Sequence, residues 1–163
     1  MNLKKVMITV GICSSLLLAA CSNEKESQAE HQNHTEQTSN GDIREETSGK
    51  ELKPEFLADK PEDMQTIYLA VAQHQDLLEK IPCYCGCADS AQHKNNYDCY
   101  IYENKQSGEV VWDSHGTKCG VCLEIAAEAI NEFNQGKTVK EIRQNIDNKY
   151  VEGYPEPTET PEI

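Results

Sequence analysis

The chain has 163 residues, and its 28 acidic side chains outnumber the 15 basic ones, which gives a formal net charge of −13. A chain this acidic lacks the positive surface that nucleic acids require, and anionic lipid headgroups would repel it, so nucleic-acid binding and electrostatic attachment to a membrane are excluded. With two phenylalanines and one tryptophan, the chain can build only a modest apolar core.

The first 20 residues have the pattern of a short export signal. Lys4 and Lys5 form a basic start, and the largely apolar run at 6–18 is too short to span a bilayer comfortably. Cleavage of this signal would remove Cys13. It would also change the formal net charge from −13 to −15, because the segment contains two lysines and no acidic residue.

The residues Leu18-Ala19-Ala20-Cys21 match a bacterial lipobox, in which a peptidase cuts before the cysteine and acyl chains are attached to the sulfur. Cys21 is therefore predicted to be the lipidated first residue of the mature protein. Because acyl chains insert into the bilayer, we expect a lipoprotein anchored at the extracytoplasmic face of the cell membrane. An uncleaved anchor and a non-lipidated secreted protein are the alternatives.

Composition divides the rest of the chain into three segments. Residues 21–54 are rich in polar and acidic side chains and contain few large apolar ones, which predicts a disordered stalk. Residues 55–152 contain the periodic apolar residues and are predicted to form one small cysteine-rich domain. Residues 153–163 are rich in proline and glutamate, which predicts a disordered tail.

Apolar periodicity predicts three helices in this domain. The first runs over about 61–80 and is stopped by Pro82, which disfavours helix at the residue before it. The second runs over about 118–134. The third begins at Thr138-Val139-Lys140-Glu141, which has the pattern of a capping box.

Residues 82–118 lack sustained periodicity. The segments at 97–102 and 109–112 have a strand-like composition, and Gly108 between them can support a short β-hairpin. A long irregular segment in a compact domain is usually held by something other than secondary structure, here metal ions or disulfides. The predicted fold class is mainly α: a small three-helix domain with a long irregular cysteine-rich insert, flanked by disordered segments.

The insert contains the candidate site. Three cysteines alternate in the hexapeptide Pro82-Cys83-Tyr84-Cys85-Gly86-Cys87, and three more follow. Thiolates are soft ligands that favour Cu(I) and Zn(II), and the CxxC spacing is common in zinc sites. The leading interpretation is therefore a thiol-rich metal site. Its candidate ligands are Cys83, Cys85, Cys87, Cys99, Cys119 and Cys122, with His93 and His115 as additional candidates.

Disulfides are the second interpretation, because they are common in exported proteins with an even number of mature thiols. Cysteines two residues apart seldom bridge without strain. The three cysteines of the hexapeptide are therefore expected to pair with Cys99, Cys119 and Cys122. The resulting protein would be a disulfide-stapled module that binds another protein.

Thiol–disulfide exchange is the third interpretation. Cys119-Gly120-Val121-Cys122 at the start of a helix resembles an exchange motif, and the charge of Lys118 would lower the pKa of the neighbouring thiols. However, no strand precedes the motif in a βαβ pattern, and four other cysteines would have no role.

The same residues resemble a known family. The hexapeptide, the later Tyr97-Asp98-Cys99-Tyr100, and Trp112-Asp113-Ser114-His115-Gly116 leading into the CxxC motif are similar to the PCYCGC-motif proteins, exported lipoproteins of Bacillus-type bacteria. The similarity covers roughly the whole predicted domain. It implies export and a single functional unit, whereas metal binding is inferred from the thiols.

These observations predict an extracytoplasmic lipoprotein that captures, buffers or delivers Cu(I) or Zn(II). A membrane metalloenzyme or transporter is the expected partner. The sequence shows no nucleophile–base–acid constellation, phosphate-binding loop or cofactor fingerprint, so it does not indicate a hydrolase or a transferase.

Overall fold

The computed structural model describes residues 34–163, with the backbone alone at Ala88 and Asp89. The predicted signal peptide, the predicted lipidation site Cys21 and the first part of the predicted stalk lie outside the described residues. Among the residues that are described, no helix combines the length and the apolar character that a membrane span requires.

A four-stranded antiparallel sheet forms one part of the fold. Its strands are β1 (Thr35–Gln37), β2 (Ile43–Thr47), β3 (Ile101–Asn104) and β4 (Val110–Asp113), in the order β1-β2-β4-β3. The predicted hairpin is confirmed as β3 and β4, and Gly108 in its turn has a φ of +108°. The inner pair is formed by β2 and β4, with Glu45 opposite Trp112.

The prediction of a mainly α domain flanked by disordered segments is wrong, because residues 34–47 supply two of the four strands. The buried side chains of this segment are polar rather than apolar. Thr47 Oγ1 accepts a hydrogen bond of 2.7 Å from Trp112 Nε1, and Glu45 Oε1 accepts one of 2.6 Å from the backbone N–H of Glu55. Composition does not predict that this segment is ordered, because hydrogen bonds rather than apolar contacts attach it to the domain.

The helical part of the chain contains the three predicted helices with changed bounds. The α-helices are α1 (Glu62–Gln73), α2 (Gln75–Leu78), α3 (Ala88–Ala91), α4 (Gly120–Asn134) and α5 (Val139–Tyr150), with 3-10 turns at Glu55–Leu57, Tyr97–Cys99 and Ser114–Lys118. The first predicted helix is divided at His74, whose backbone leaves the helical conformation between α1 and α2. The predicted capping box of Thr138 and Glu141 is confirmed at the start of α5.

Aromatic side chains join the helices to the sheet. The Tyr68 hydroxyl on α1 donates a hydrogen bond of 3.1 Å to the backbone oxygen of Asp113, and its ring meets that of Tyr100 edge to face at 4.8 Å. Trp112 of β4 is fully buried in the same core. Helix α4 packs against both α1 and α5, and β4 leads through the turn at Ser114–Lys118 directly into it. This connection brings the later cysteines next to the hexapeptide.

The C-terminal segment has no regular secondary structure beyond α5, yet it is attached to the domain. Thr158 N–H donates to the backbone oxygen of Cys83 at 3.1 Å, and Thr158 Oγ1 accepts from Cys83 N–H at 2.8 Å. Pro155 lies so close to Gly86 that a Cβ added there would approach its Cγ to 2.9 Å. The predicted disordered tail is therefore corrected to a strap, residues 154–160, that lies along the hexapeptide.

Candidate metal centre

The hexapeptide at 82–87 follows α2 and is fixed by contacts beyond its own backbone. The Tyr84 hydroxyl donates a hydrogen bond of 2.6 Å to Asp147 Oδ1, and the Tyr84 ring stacks on that of Tyr150 with centroids 5.4 Å apart. Gly86 has a φ of +73°, a left-handed conformation that glycine adopts without steric cost. The three sulfurs of the hexapeptide all lie within 4.8 Å of one another, and the chain continues from this turn into α3.

Three buried thiols form what we call the thiolate core: Cys83, Cys99 and Cys122. They come from the hexapeptide, from the turn at Tyr97–Cys99 and from the first turn of α4. Their Sγ atoms lie 3.5 Å apart for Cys83 and Cys122, 3.9 Å for Cys99 and Cys83, and 3.4 Å for Cys99 and Cys122. Thiolates bound about 2.3 Å from a zinc ion occupy the corners of a tetrahedron with edges of about 3.8 Å. The core therefore has dimensions close to those of a sulfur-ligated metal site.

Two further cysteines flank this core. Cys119 is the N-cap residue of α4 and is half-buried. Its sulfur, that of Cys85 and that of Cys122 all lie within 4.8 Å of one another. Because Cys122 belongs to both groups, Cys85 and Cys119 are the candidates for a fourth ligand.

Hydrogen bonds among the sulfurs determine where the negative charge lies. Bonds with Cys122 and Cys99 lower the pKa of the Cys83 thiol to about 3 and outweigh the opposing effect of burial. Bonds with Cys119, Cys83 and Cys99 raise the pKa of Cys122. The bond with Cys122 lowers the pKa of Cys99, but the bond with Cys83 and complete burial outweigh it and raise this pKa well above its usual value. Among the three core cysteines, negative charge is therefore favoured at Cys83 and disfavoured at Cys99 and Cys122.

The start of α4 differs from the prediction in the role of its lysine. Hydrogen bonding with the Cys122 side chain is the main cause that lowers the pKa of the Cys119 thiol to about 6, and nearby backbone N–H groups act in the same direction. Lys118 Nζ instead contacts Asp42 Oδ1 at 2.8 Å and the backbone oxygen of Gly41 at 2.9 Å. The Cys122 side chain and the backbone N–H groups at the start of α4, rather than Lys118, are therefore the main groups that lower the pKa of the Cys119 thiol.

Cys85 and Cys87 are joined by a disulfide, with Cα atoms 5.5 Å apart. The expectation that no bridge forms inside the hexapeptide is wrong, because the left-handed turn at Gly86 brings its two neighbours within the usual Cα range of about 4.4–6.8 Å. Cys83, Cys99, Cys119 and Cys122 are free thiols. The expected three bridges between the hexapeptide and the later cysteines are therefore not formed.

A second group, which we call the histidine cluster, consists of Cys87, His93 and His115. One ligand atom from each lies within 4.8 Å of the other two, and the imidazole rings meet edge to face with centroids 4.6 Å apart. His115 Nδ1 lies 2.8 Å from Asp42 Oδ2. Burial is the main cause that lowers the pKa of His93 to about 4, so its imidazole is neutral at neutral pH.

All eight ligand candidates named from the sequence thus lie in these two adjacent groups or beside them. Sequence reasoning missed Asp42, which holds His115, and Thr158, which binds both backbone groups of Cys83. Both lie in segments whose composition predicts disorder. No local pattern around either residue indicates a contact with a site so distant along the chain.

Searches for similar curated proteins and for similar solved structures found no match. A family model described as a protein of unknown function with a PCYCGC motif matches residues 10–163. The match spans the hexapeptide, the later cysteines and both histidines of the cluster, and it confirms the resemblance inferred from the motifs. The chain therefore belongs to the family of PCYCGC-motif proteins.

Proposed function

We propose that this protein is a lipid-anchored, extracytoplasmic lipoprotein that binds Cu(I) or Zn(II) in its thiolate core and captures, buffers or delivers the ion. The observation that carries the proposal is the geometry of Cys83, Cys99 and Cys122, whose sulfurs lie 3.4–3.9 Å apart. Free thiols at this separation match the edges of a thiolate-ligated metal site.

The setting of the core supports the same function. Each of its three cysteines is at most 1% exposed, and Thr158 of the strap makes two hydrogen bonds to the backbone of Cys83, one through its own N–H and one through its hydroxyl. Soft thiolate ligands select Cu(I) and Zn(II), and a site shielded from solvent retains such ions. Exported proteins meet oxidising conditions, in which thiols this close together remain reduced when an ion occupies them.

The location at the membrane is supported by the sequence pattern at the N-terminus. The basic start, the apolar run and the lipobox that ends at Cys21 together predict acylation. An acyl anchor would hold the core near membrane proteins. A membrane metalloenzyme or transporter that exchanges copper or zinc would be the partner at that surface.

Metal analysis combined with thiol counting tests the proposal. The full-length protein is purified without oxygen, and its intact mass is measured with and without a thiol-blocking reagent. We expect at least one copper or zinc ion per chain, with Cys83, Cys99 and Cys122 blocked only after the ion is removed. A chain with three disulfides and no metal would contradict the proposal.

One observation favours thiol–disulfide exchange as a second candidate function. Cys83 Sγ lies 2.9 Å from Cys85 Sγ, one of the two bridged sulfurs. In such an exchange the Cys83 thiolate attacks the Cys85 sulfur. The Cys83–Cys85 bond forms as the Cys85–Cys87 bond breaks, and Cys87 leaves as a thiolate that takes up a proton. This function predicts that glutathione reduces the bridge at least tenfold more slowly in Cys83→Ser. Equal rates would exclude it.

A further inference from the structure

We propose that Cys87, His93 and His115 form a second metal site, separate from the thiolate core, that binds a divalent ion of the zinc and copper class when the Cys85–Cys87 bridge is reduced. The two groups share no side chain, although the sulfur of Cys87 lies within 4.8 Å of that of Cys83 in the core, so metal binding at each group is tested separately. It goes beyond the proposed function because it adds a binding site with different donor atoms.

The first argument is the position of His93. Its side chain is 6% exposed, yet Nδ1 has no hydrogen-bond partner within residues 34–163. Leaving a buried polar atom unpaired costs about 1–3 kcal/mol. One ring nitrogen of His93 lies within 4.8 Å of ligand atoms of Cys87 and His115, so an ion bound among them would gain a ligand from a buried ring that is incompletely paired among the described residues.

The second argument is the carboxylate behind His115. Asp42 Oδ2 lies 2.8 Å from His115 Nδ1, while Asp42 Oδ1 is held by Lys118 Nζ at 2.8 Å. A histidine that binds a metal ion typically donates its other ring N–H to a carboxylate, which fixes the tautomer and the orientation of the ring. Because Nδ1 is engaged with Asp42, Nε2 remains as the ligand atom of His115. Asp42 is thus a positioning residue.

The third argument concerns the donor set. Two imidazoles and one thiolate suit Zn(II) and copper, whereas the core offers sulfur alone. Three protein ligands leave one coordination position for water or for a donor from another molecule, as in zinc sites that exchange ligands. A cleft of about 380 Å³ is lined by His93 of the cluster together with Arg44 and Gln92.

The bridge controls access to this site because it occupies the Cys87 sulfur. A dithiol reductant supplies two electrons and two protons, so the Cys85–Cys87 bond breaks, each cysteine becomes a thiol, and the reductant becomes a disulfide. Cys87 then loses its proton as the ion binds. The oxidised chain lacks this ligand, so the site is formed only in the reduced chain.

Cobalt(II) is a suitable probe, because it substitutes for zinc and its visible absorption reports the ligands. The full-length chain is reduced without oxygen by a phosphine and titrated with cobalt. We expect the reduced wild type to bind one more equivalent of cobalt than His115→Gln, namely the ion at the histidine cluster. Cys99→Ser should retain the ion at the histidine cluster. The wild type with its bridge intact should not bind cobalt at the histidine cluster.

His115 is partly exposed, whereas His93 is buried, so His115→Gln is the variant that is expected to fold. If it does not fold, the reduced Cys87→Ser variant decides, because it keeps Cys85 beside the core but lacks the sulfur of the histidine cluster and should bind one equivalent less than the wild type. Equal binding by the wild type and His115→Gln would overturn the second site. Loss of all binding in Cys99→Ser would show a single merged site. If the wild type binds one equivalent in total, and this equivalent persists in Cys99→Ser but is absent from His115→Gln, the result would support this site and contradict the thiolate core.

Discussion

The thiolate core and the histidine cluster take ligands from the same hexapeptide but differ in donors, burial and support. The core combines three sulfurs that are at most 1% exposed, and the strap lies across it. The histidine cluster combines one sulfur with two imidazoles, is supported by the buried carboxylate of Asp42, and places His93 in the lining of a cleft of about 380 Å³. The comparison suggests a closed site that retains an ion beside an open site that exchanges one.

Cys85 lies between the two groups. Its sulfur is bonded to Cys87 of the histidine cluster and lies 2.9 Å from Cys83 of the core. When the bridge is reduced, Cys85 becomes available near the core at the same time as Cys87 becomes available to the histidines. Alternating cysteines around a glycine turn therefore allow one short segment to serve two sites.

The largest expected effect is the loss of Cys122, a core ligand that lies close to both Cys85 and Cys119, the candidates for a fourth ligand. Structural zinc sites bind with about 10–16 kcal/mol shared among four ligands, so Cys122→Ser should weaken metal affinity by roughly 100-fold or more. Competition titration with a chromophoric chelator measures this change.

Cys119→Ser is the matched control, because Cys119 lies at the edge of the core and belongs to only one sulfur group. We expect a smaller loss in this variant. Equal losses in the two variants would show that the core does not centre on Cys122.

The second expected effect is a loss of metal affinity at the histidine cluster alone. Asp42→Asn keeps the size of the side chain but removes the negative charge that holds His115 and Lys118. Loss of such a supporting group typically costs 10–100-fold in metal affinity, so the cobalt equivalent of the histidine cluster should weaken by roughly that factor while the core keeps its affinity.

Asp59→Asn is the control for charge, because Asp59 is exposed and pairs only with its neighbour Lys60 among the described contacts. This variant should bind metal as the wild type does. An equal loss of affinity at both groups in Asp42→Asn would mean that Asp42 stabilises the whole domain rather than one site.

The third effect concerns the strap. Thr158→Val removes the acceptor for the Cys83 N–H and leaves that buried group unpaired, at a cost of about 1–3 kcal/mol. Local opening should therefore make labelling of Cys83 in the metal-free chain roughly tenfold faster, which mass spectrometry can follow. Thr158→Ser keeps the hydroxyl and should label at the wild-type rate. Unchanged labelling in Thr158→Val would show that the strap does not shield the core.

The smallest effect on either site is expected from a variant distant from both. Thr47→Val removes the acceptor for Trp112 Nε1, which should lower the free energy of unfolding by about 1–3 kcal/mol, as measured by urea denaturation. Thr47→Ser keeps the hydroxyl and serves as control. Metal affinity should not change, and a loss at one group alone would mean that strand β2 contributes to that site.

The sequence predicts the parts of the fold that depend on local patterns. Apolar residues at steps of three and four indicate α4 and α5, the Thr138–Glu141 pair indicates where α5 begins, and Gly108 indicates the hairpin turn. These features are predictable because each depends on residues close together in the chain. The set of ligand candidates is predictable for a related reason, since six of the eight cysteines lie in the span 83–122 together with two of the five histidines.

The rest depends on contacts between distant residues. Strand β2 is ordered because Glu45 and Thr47 are hydrogen-bonded to partners elsewhere, although their polar character predicts disorder. The strap is ordered because Thr158 pairs with Cys83 across 75 positions of the chain. The grouping of the ligands depends on which distant residues meet each hexapeptide cysteine, namely Cys99 and Cys122 at Cys83 and the two histidines at Cys87, which no spacing rule reveals.

X-ray absorption spectroscopy of the full-length protein, reduced and loaded with one equivalent of zinc without oxygen, tests the central claim most directly. The thiolate core predicts that sulfur dominates the first coordination shell, at about 2.3 Å from the ion. Cys122→Ser should reduce the sulfur contribution. A first shell of nitrogen and oxygen alone, or a chain that retains no zinc, would contradict the assignment of Cys83, Cys99 and Cys122 as a metal site.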